Sequence, residues 1–297
     1  MAEEEAETQG SYALWDLALR WTVESIRDPE KRDGARRSYM RSAASLENLG
    51  VPGELRLTPG FTALPHPSWV GFEVNFTLQR PWFAKDDSVF HVLDNPLRKD
   101  RVFGVPYMSA SSWKGLLRWA YLMEVKLIGP RAKFSIADGD ARTREVFHLF
   151  GEKGTGGKFQ QGALAFYPTW FDRIGFEVIN PHNRRRRAGT QPIYFEVVPE
   201  GARGDLRLLY APVPGSARRS GVDPTEALGR LMDAIEALLT SYGISAKRTA
   251  GWGTASIGQW KLYRLGEIPC SKDNKEEAYL VLQSWLALGD DTSNDRC

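Results

Sequence analysis

Cysteine is scarce in this sequence: there are two in 297 residues, Cys270 and Cys297, both in or near the C-terminal tail. No CxxC pair exists, so a cysteine zinc site is excluded and a disulfide framework is not expected. Long apolar runs are missing too, and none approaches the ~18 residues that span a bilayer. The opening MAEEEAETQG is acidic and has no basic region followed by an apolar run, so no secretory signal is expected. The expectation is a cytoplasmic protein with no membrane partner. A nucleotide-binding P-loop is also lacking. Gly151 to Lys158 is glycine-rich, but Glu152 stands where the first glycine is needed and Phe159 follows the lysine in place of Ser or Thr. A flexible polar loop is expected there.

What is present is ordinary in bulk: 42% hydrophobic and 26% charged residues, with ten Trp to fill a sizeable core. A net charge of +2 does not announce a nucleic-acid binder, but the positive charge is clustered, and clustering matters more than the total.

The densest signals lie between Phe90 and Tyr121. Asp94-Asn95-Pro96 reads as a turn, Arg98, Lys99 and Arg101 surround Asp100, and Gly104-Val105-Pro106 is a further break. Trp113, Leu116, Leu117, Ala120 and Tyr121 then repeat at helix spacing, with Ser111 as the expected N-cap. Lys114 and Arg118 share another face of that helix. Free N–H groups and the dipole at a helix start favour an anion, so the segment suits a phosphate; a capped core helix with two solvated cations is the alternative.

Elsewhere, Ser11 to Ile26 has a helical pattern, and Lys31, Arg32, Arg36, Arg37 and Arg41 form a basic helical run, either RNA-facing or solvated. Gly50 to Pro67 reads as a linker. Val70, Phe72, Val74, Phe76 and Leu78 alternate as one side of a strand. A long loop from Arg80 to Phe103 follows. Further strands are expected at 163–167, 176–182, 192–199, 207–213 and 255–262, with helices at 141–150 and 224–242. Four consecutive arginines, Arg184, Arg185, Arg186 and Arg187, mark a solvated or phosphate-contacting loop. Lys247 to Thr254 is basic and glycine-rich, a loop where Gly251 and Gly253 expose backbone to a ligand or simply make a tight turn.

The order strand–helix–strands–helix–strand is the βαββαβ plan, so the expected class is α+β: a ferredoxin-like (RRM-like) core with large insertions and an N-terminal helical extension. The boundaries are 1–60 for the helical extension and linker, 61–266 for the core with its inserted loops, and 267–297 for a C-terminal tail. Val105 to Arg118 (VPYMSASSWKGLLR) resembles the IPGSSLKGxLR signature of the RAMP superfamily of type III CRISPR–Cas effector complexes. Arg248 to Gly253 (RTAGWG) resembles that family's glycine-rich loop. The departures lie at Met108, Ala110 and Trp113.

This resemblance implies a guide-RNA-binding subunit whose partners are guide RNA, complementary target RNA and other effector subunits. Ser109, Ser111, Ser112, Lys114, Arg118, Lys247, Arg248, Gly251 and Gly253 would hold phosphates without reading sequence, as variable guides require, and Trp252 would stack on a base. The Arg184–Arg187 block joins them. Leu93 to Asp100 resembles the loop of the repeated backbone subunit that cleaves target RNA, which makes Asp94 the catalytic candidate and the ligand of a divalent cation such as Mg. An Asx turn before Pro96 is the plain alternative. Phe176 to His182 with Pro192 to Phe195 resembles the capping subunit, which is not a nuclease. A third, remote reading is a free-standing metal-dependent hydrolase using Asp86, Asp87, His91, Asp94 and Asp100.

Overall fold

The apolar side of Val70–Leu78 (β1) decides where the core lies. Val70, Phe72, Val74, Phe76 and Leu78 are all buried, while Glu73, Asn75 and Thr77 between them are half-buried. In a computed structural model describing residues 17–46, 49, 60–87, 91–128, 140–153, 159–180, 182–183, 188–189 and 192–287, β1 is the middle of a five-stranded sheet. Its other strands are Leu164–Phe166 (β2), Arg203–Tyr210 (β5), Ala255–Arg264 (β6) and Cys270–Lys272 (β7), in the order β7-β6-β1-β5-β2. Every neighbouring pair is antiparallel, and Val74 stands between Leu206 and Trp260.

Between β1 and β2 the chain crosses the apolar face as the helix Ala110–Glu124 (α3), and between β5 and β6 as Pro224–Ala237 (α6). Both helices owe their place to residue spacing. Trp113, Leu117, Ala120 and Tyr121 are buried in the first, and Leu228, Leu231, Met232 and Ile235 in the second. The two helices pack against each other on the sheet. Trp113 donates its Nε1–H to Thr169 Oγ1 at 2.9 Å, which in turn donates to the Asp205 carbonyl. This indole is core. The order β1-α3-β2-β5-α6-β6 is the ferredoxin-like plan expected from the sequence, extended by one edge strand.

Three elements depart from the sequence-based expectations. The helix ending at Ala237 runs into one wider π turn, Leu238–Tyr242, which Gly243 stops at a φ of +77°. The stretch expected as a C-terminal tail supplies β7 and the helix Lys275–Ala287 (α7). Ala278, Leu282 and Trp285 of α7 are buried, and Lys275 pairs with Asp233 and Glu236 of α6, at 2.7 Å each. Gly229 permits the close approach, since a Cβ there would lie 2.7 Å from the Tyr279 ring. Within the segment expected as a linker, Phe61 and Leu64 pack with Leu209, Tyr167 and Tyr263 on the sheet face away from the helices.

The N-terminal extension folds onto the same body. Residues 17–27 (α1) and Arg32–Ala44 (α2) are helical, and Tyr39 and Ala43 of α2 are buried in the main core. A separate hairpin pairs Gly175–Ile179 (β3) with Ile193–Val197 (β4), and α2 packs on β3. The hairpin continues in the pairing of His182–Asn183 with Ala188–Gly189. Ala141–Phe150 (α4) lies beside α3, and Ser216–Ser220 (α5) is a single short helix. Among the described residues no helix is long and apolar enough to cross a membrane.

Candidate nucleic-acid interface

The start of α3 is set by Ser109, not Ser111. Ser109 has extended backbone (φ −70°, ψ 153°), and its Oγ accepts the Ser112 N–H at 3.2 Å. Met108 is held in a strand pair with Thr169, so the chain turns helical immediately after Ser109. The Ser111 and Ser112 hydroxyls gather around the cap at 3.0 and 2.9 Å from Ser109 Oγ. Lys114 and Gly115 are exposed on the next turn, and a Cβ on Gly115 would meet no atom within 4 Å. Arg118 is half-buried, with its Nε lacking a hydrogen-bond partner.

The glycine-rich loop is pinned against the start of the long loop after β1. Trp82 donates its Nε1–H to the Ile244 carbonyl at 3.0 Å; the Phe83 N–H donates to Ser245 Oγ, which donates back to the Phe83 carbonyl. Gly253, at a φ of +81°, is the tight point: a Cβ there would stand 2.5 Å from the Ser245 nitrogen. Gly251 has a φ of +80° but open space around it, so its backbone is reachable from outside.

These two elements meet. The Arg248 guanidinium lies 4.2 Å above the Trp119 ring of α3, and Trp119 packs edge-on against Tyr242. Arg248 Nη1 has no hydrogen-bond partner. Lys247 sits 4.4 Å over Phe195 of β4 and 6.0 Å from Trp252, which itself packs edge-on against Phe195. The result is a helix start, two cations on one helix face and two cations over aromatic rings. Such a surface suits the phosphates of an extended chain, since it presents donors and positive charge without a shaped pocket for a base.

Residues 91–100 form a second centre, built around a buried carboxylate. Glu196 is fully buried; it accepts from Tyr39 Oη at 2.6 Å, from the Leu97 N–H at 2.9 Å and from the Lys99 ammonium. Burial pushes its pKa up, but the Lys99 charge and these donors outweigh that, so the carboxyl ends below its usual range. His91 Nε2 is 3.9 Å from Glu196, and Nδ1 accepts the Leu93 N–H. Burial drives the His91 pKa down to about 4, with Glu196 pulling it up and Lys99 pushing it down.

Asp94 projects from this loop toward α2. One carboxylate oxygen accepts from Arg36 Nη2 at 2.7 Å and the other from Arg32 Nη2 at 3.3 Å.

The RAMP superfamily model matches residues 64–256, well over half of the sequence. The chain belongs to the RAMP superfamily. No curated protein matches it in sequence. Among solved structures, a chain of the cryo-EM structure of the Type III-B Cmr-beta bound to cognate target RNA aligns with a TM-score of 0.46 at 14% identity, covering 80% of this chain and 68% of that one.

In this RAMP chain the two signature segments, far apart in sequence, lie side by side. Ser109, Ser111, Ser112, Lys114 and Arg118 share α3, and Lys247, Arg248, Gly251, Trp252 and Gly253 share the loop that Arg248 joins to it. Arg184–Arg187 lie outside the described residues. Lys99 does not belong to the surface charge expected around Asp100. It is buried on Glu196, while Asp100 Oδ1 accepts from the N–H groups of Val102 and Phe103.

The donor set at Asp94 does not fit a divalent cation. Guanidinium groups occupy both of its oxygens, and no three His, Cys, Asp or Glu side chains converge among the described residues. His91, Asp94 and Asp100, three of the residues a free-standing hydrolase would need, are engaged separately by backbone and arginine donors. Sequence reasoning missed Tyr39 and Glu196 and placed Arg36 in an RNA-facing or solvated run, whereas it is buried. Arg36 falls on the stripe of Tyr39 and Ala43, three and seven residues on, which is the buried face of α2.

Proposed function

We propose that this RAMP chain is a guide-RNA-binding subunit of a type III CRISPR effector complex, gripping RNA through its phosphates. The observation that carries the reading is the stacking of Arg248 on Trp119, which joins the glycine-rich loop to the signature helix as one basic surface. Lys114, Arg118, Lys247 and Arg248 contact phosphates, the α3 start offers backbone N–H groups, the open space at Gly251 lets the RNA backbone come close, and Trp252 stacks on a base. The Arg184–Arg187 block, outside the described residues, binds RNA or a neighbouring subunit. The open face of the sheet is a poor alternative. An RRM stacks bases on aromatics of its central strands. Here those positions carry Glu73, Asn75, Arg207 and Lys261, and Glu73 pairs with both cations at 3.0 and 2.9 Å.

Cleavage of target RNA at Asp94 is the second reading, favoured by the exposure of that carboxylate (62%) in a loop between β1 and α3. We favour a binding role, because both oxygens of this carboxylate are already held by guanidinium groups. The test is retention of random-sequence RNA across salt concentrations. Lys247→Ala with Arg248→Ala lowers affinity for all sequences alike and flattens the log–log salt slope by about 1.4, near 0.7 for each single-strand phosphate that is no longer neutralised. Unchanged affinity and slope reject the reading. Metal-dependent cutting of guide-matched RNA that disappears in Asp94→Ala, with assembly intact, establishes the second reading instead.

A further inference from the structure

Asp94 shows what the first turns of α2 are able to bind. Arg36 is nine-tenths buried (side chain 8% exposed), and its position is fixed: Nε donates to the Val92 carbonyl at 3.3 Å, and Nη2 donates to Asp94. Arg32, one turn earlier and 55% exposed, holds the other carboxylate oxygen. Asp33 approaches Arg36 Nη1 only to 3.8 Å. The two guanidiniums thus present a fork, one arm buried and one reachable, that already carries a two-oxygen anion. A phosphodiester has the same pair of anionic oxygens. The occupant's own side chain is 62% exposed, so it swings away by side-chain rotation without disturbing the buried arm. An Arg36 left with no anion would be a nearly buried charge lacking its strongest partner, so Asp94 departs only when another anion replaces it.

We propose that Arg32 and Arg36 form a phosphate site for the RNA backbone, which Asp94 fills as an internal mimic until RNA displaces it. The idea extends the proposed RNA-binding role to α2, but it is read out by a comparison that does not involve Lys247 or Arg248. Asp94 is then a competitor that sets how strongly this end of the protein holds RNA.

The experiment uses the full chain, a fluorescent random-sequence single-stranded RNA and a salt series. Asp94→Asn removes the competing charge while keeping the side-chain shape. It tightens binding roughly tenfold, the worth of one charge-assisted hydrogen bond, with the salt slope unchanged, because bound RNA fills the fork in both proteins. Arg32→Ala in the same chain abolishes the gain and flattens the slope by about 0.7. Asp87→Asn, an equal change of charge on an exposed residue outside the fork, changes affinity less than about twofold. The proposal is overturned if Asp94→Asn matches Asp87→Asn, if its tighter binding survives Arg32→Ala, or if no variant binds RNA. Inorganic phosphate is the second arm. If it raises the melting temperature of Asp94→Asn while RNA binds no more tightly, the site takes free phosphate and the RNA assignment falls. Should Asp94→Asn fail to fold, Arg32→Ala alone decides, because an exposed side chain is removed. A salt slope flatter by about 0.7 supports the site, and an unchanged slope overturns it. Loss of binding in Lys247→Ala with Arg248→Ala leaves these differences untouched, so the two proposals fail separately.

Discussion

Mild acid should loosen the Asp94 loop through His91. The ring is buried against Tyr39 and beside Glu196, and in the folded protein its pKa is pushed down to about 4. An unfolded histidine titrates near 6.5. Between those values the unfolded chain binds more protons than the folded one, so stability is complete above pH 6.5 and falls as the pH drops toward 4. The full shift corresponds to roughly 3 kcal/mol, of which about 2 kcal/mol is lost by pH 5. Urea unfolding followed by tryptophan fluorescence from pH 7.5 to pH 5 measures it. The comparison is with His91→Asn, whose amide oxygen still accepts the Leu93 N–H but does not titrate. That variant is less stable at pH 7.5, because a smaller side chain leaves space against Tyr39, but its profile is flatter. The gap between the two proteins therefore narrows by about 2 kcal/mol on going to pH 5. His148, also buried with a lowered pKa, is present in both proteins and cancels. Glu196, with its pKa below the ordinary 4.5, contributes stability above that value and loses it only at lower pH, outside the window. Parallel profiles for the two proteins would refute the reasoning, since they would mean that the folded protein takes up the proton freely.

Glu196→Gln removes the carboxylate charge beside the Lys99 ammonium, whose side chain is 1% exposed, and should cost about 3–5 kcal/mol in urea unfolding at pH 7.5; a loss below about 1 kcal/mol would show that this ion pair does not hold the loop. Gly115→Ala, on an exposed helical position with nothing within 4 Å, should raise stability by about 0.5–1 kcal/mol, whereas Gly115→Leu should weaken RNA retention by blocking approach to α3; retention unaffected by Leu argues against that surface. Gly253→Ala combines a left-handed φ with a 2.5 Å clash on Ser245 and should lower the melting temperature well beyond Gly251→Ala, which carries only the φ cost of about 1–2 kcal/mol. Equal melting temperatures for the two would mean that the loop is not pinned as described.

How far the sequence led depended on the range of each interaction. The alternation along β1 and the stripe of α6 are local patterns, and each marked its buried face correctly. The order strand–helix–strands–helix–strand, read from such local patterns, gave the βαββαβ core. Ser109 lost to Ser111 in the sequence reading because three serines within four residues all satisfy a capping pattern; the pairing of Met108 with Thr169 makes the choice. Lys99 looked like one of several surface cations in an Arg-Lys-Asp-Arg run, whereas it is buried on Glu196, ninety-seven residues away. The partners of Asp94 are equally remote, at separations of 58 and 62 residues, so nothing near it in sequence distinguished a clamped carboxylate from a catalytic one. In α7, Ala278, Leu282 and Trp285 have helical spacing, but the residues that dock the helix, Asp233 and Glu236, lie 42 and 39 residues before Lys275, so a tail was expected there.

The most direct test of the central claim is a cryo-EM map of the purified assembly with its RNA bound. The account predicts RNA phosphates within hydrogen-bonding distance of Lys114, Arg118, Lys247 and Arg248, with the backbone running between the α3 start and Gly251. A map that lays the RNA across Glu73, Arg207 and Lys261 on the open face of the sheet, or leaves the Arg248–Trp119 surface bare, contradicts it.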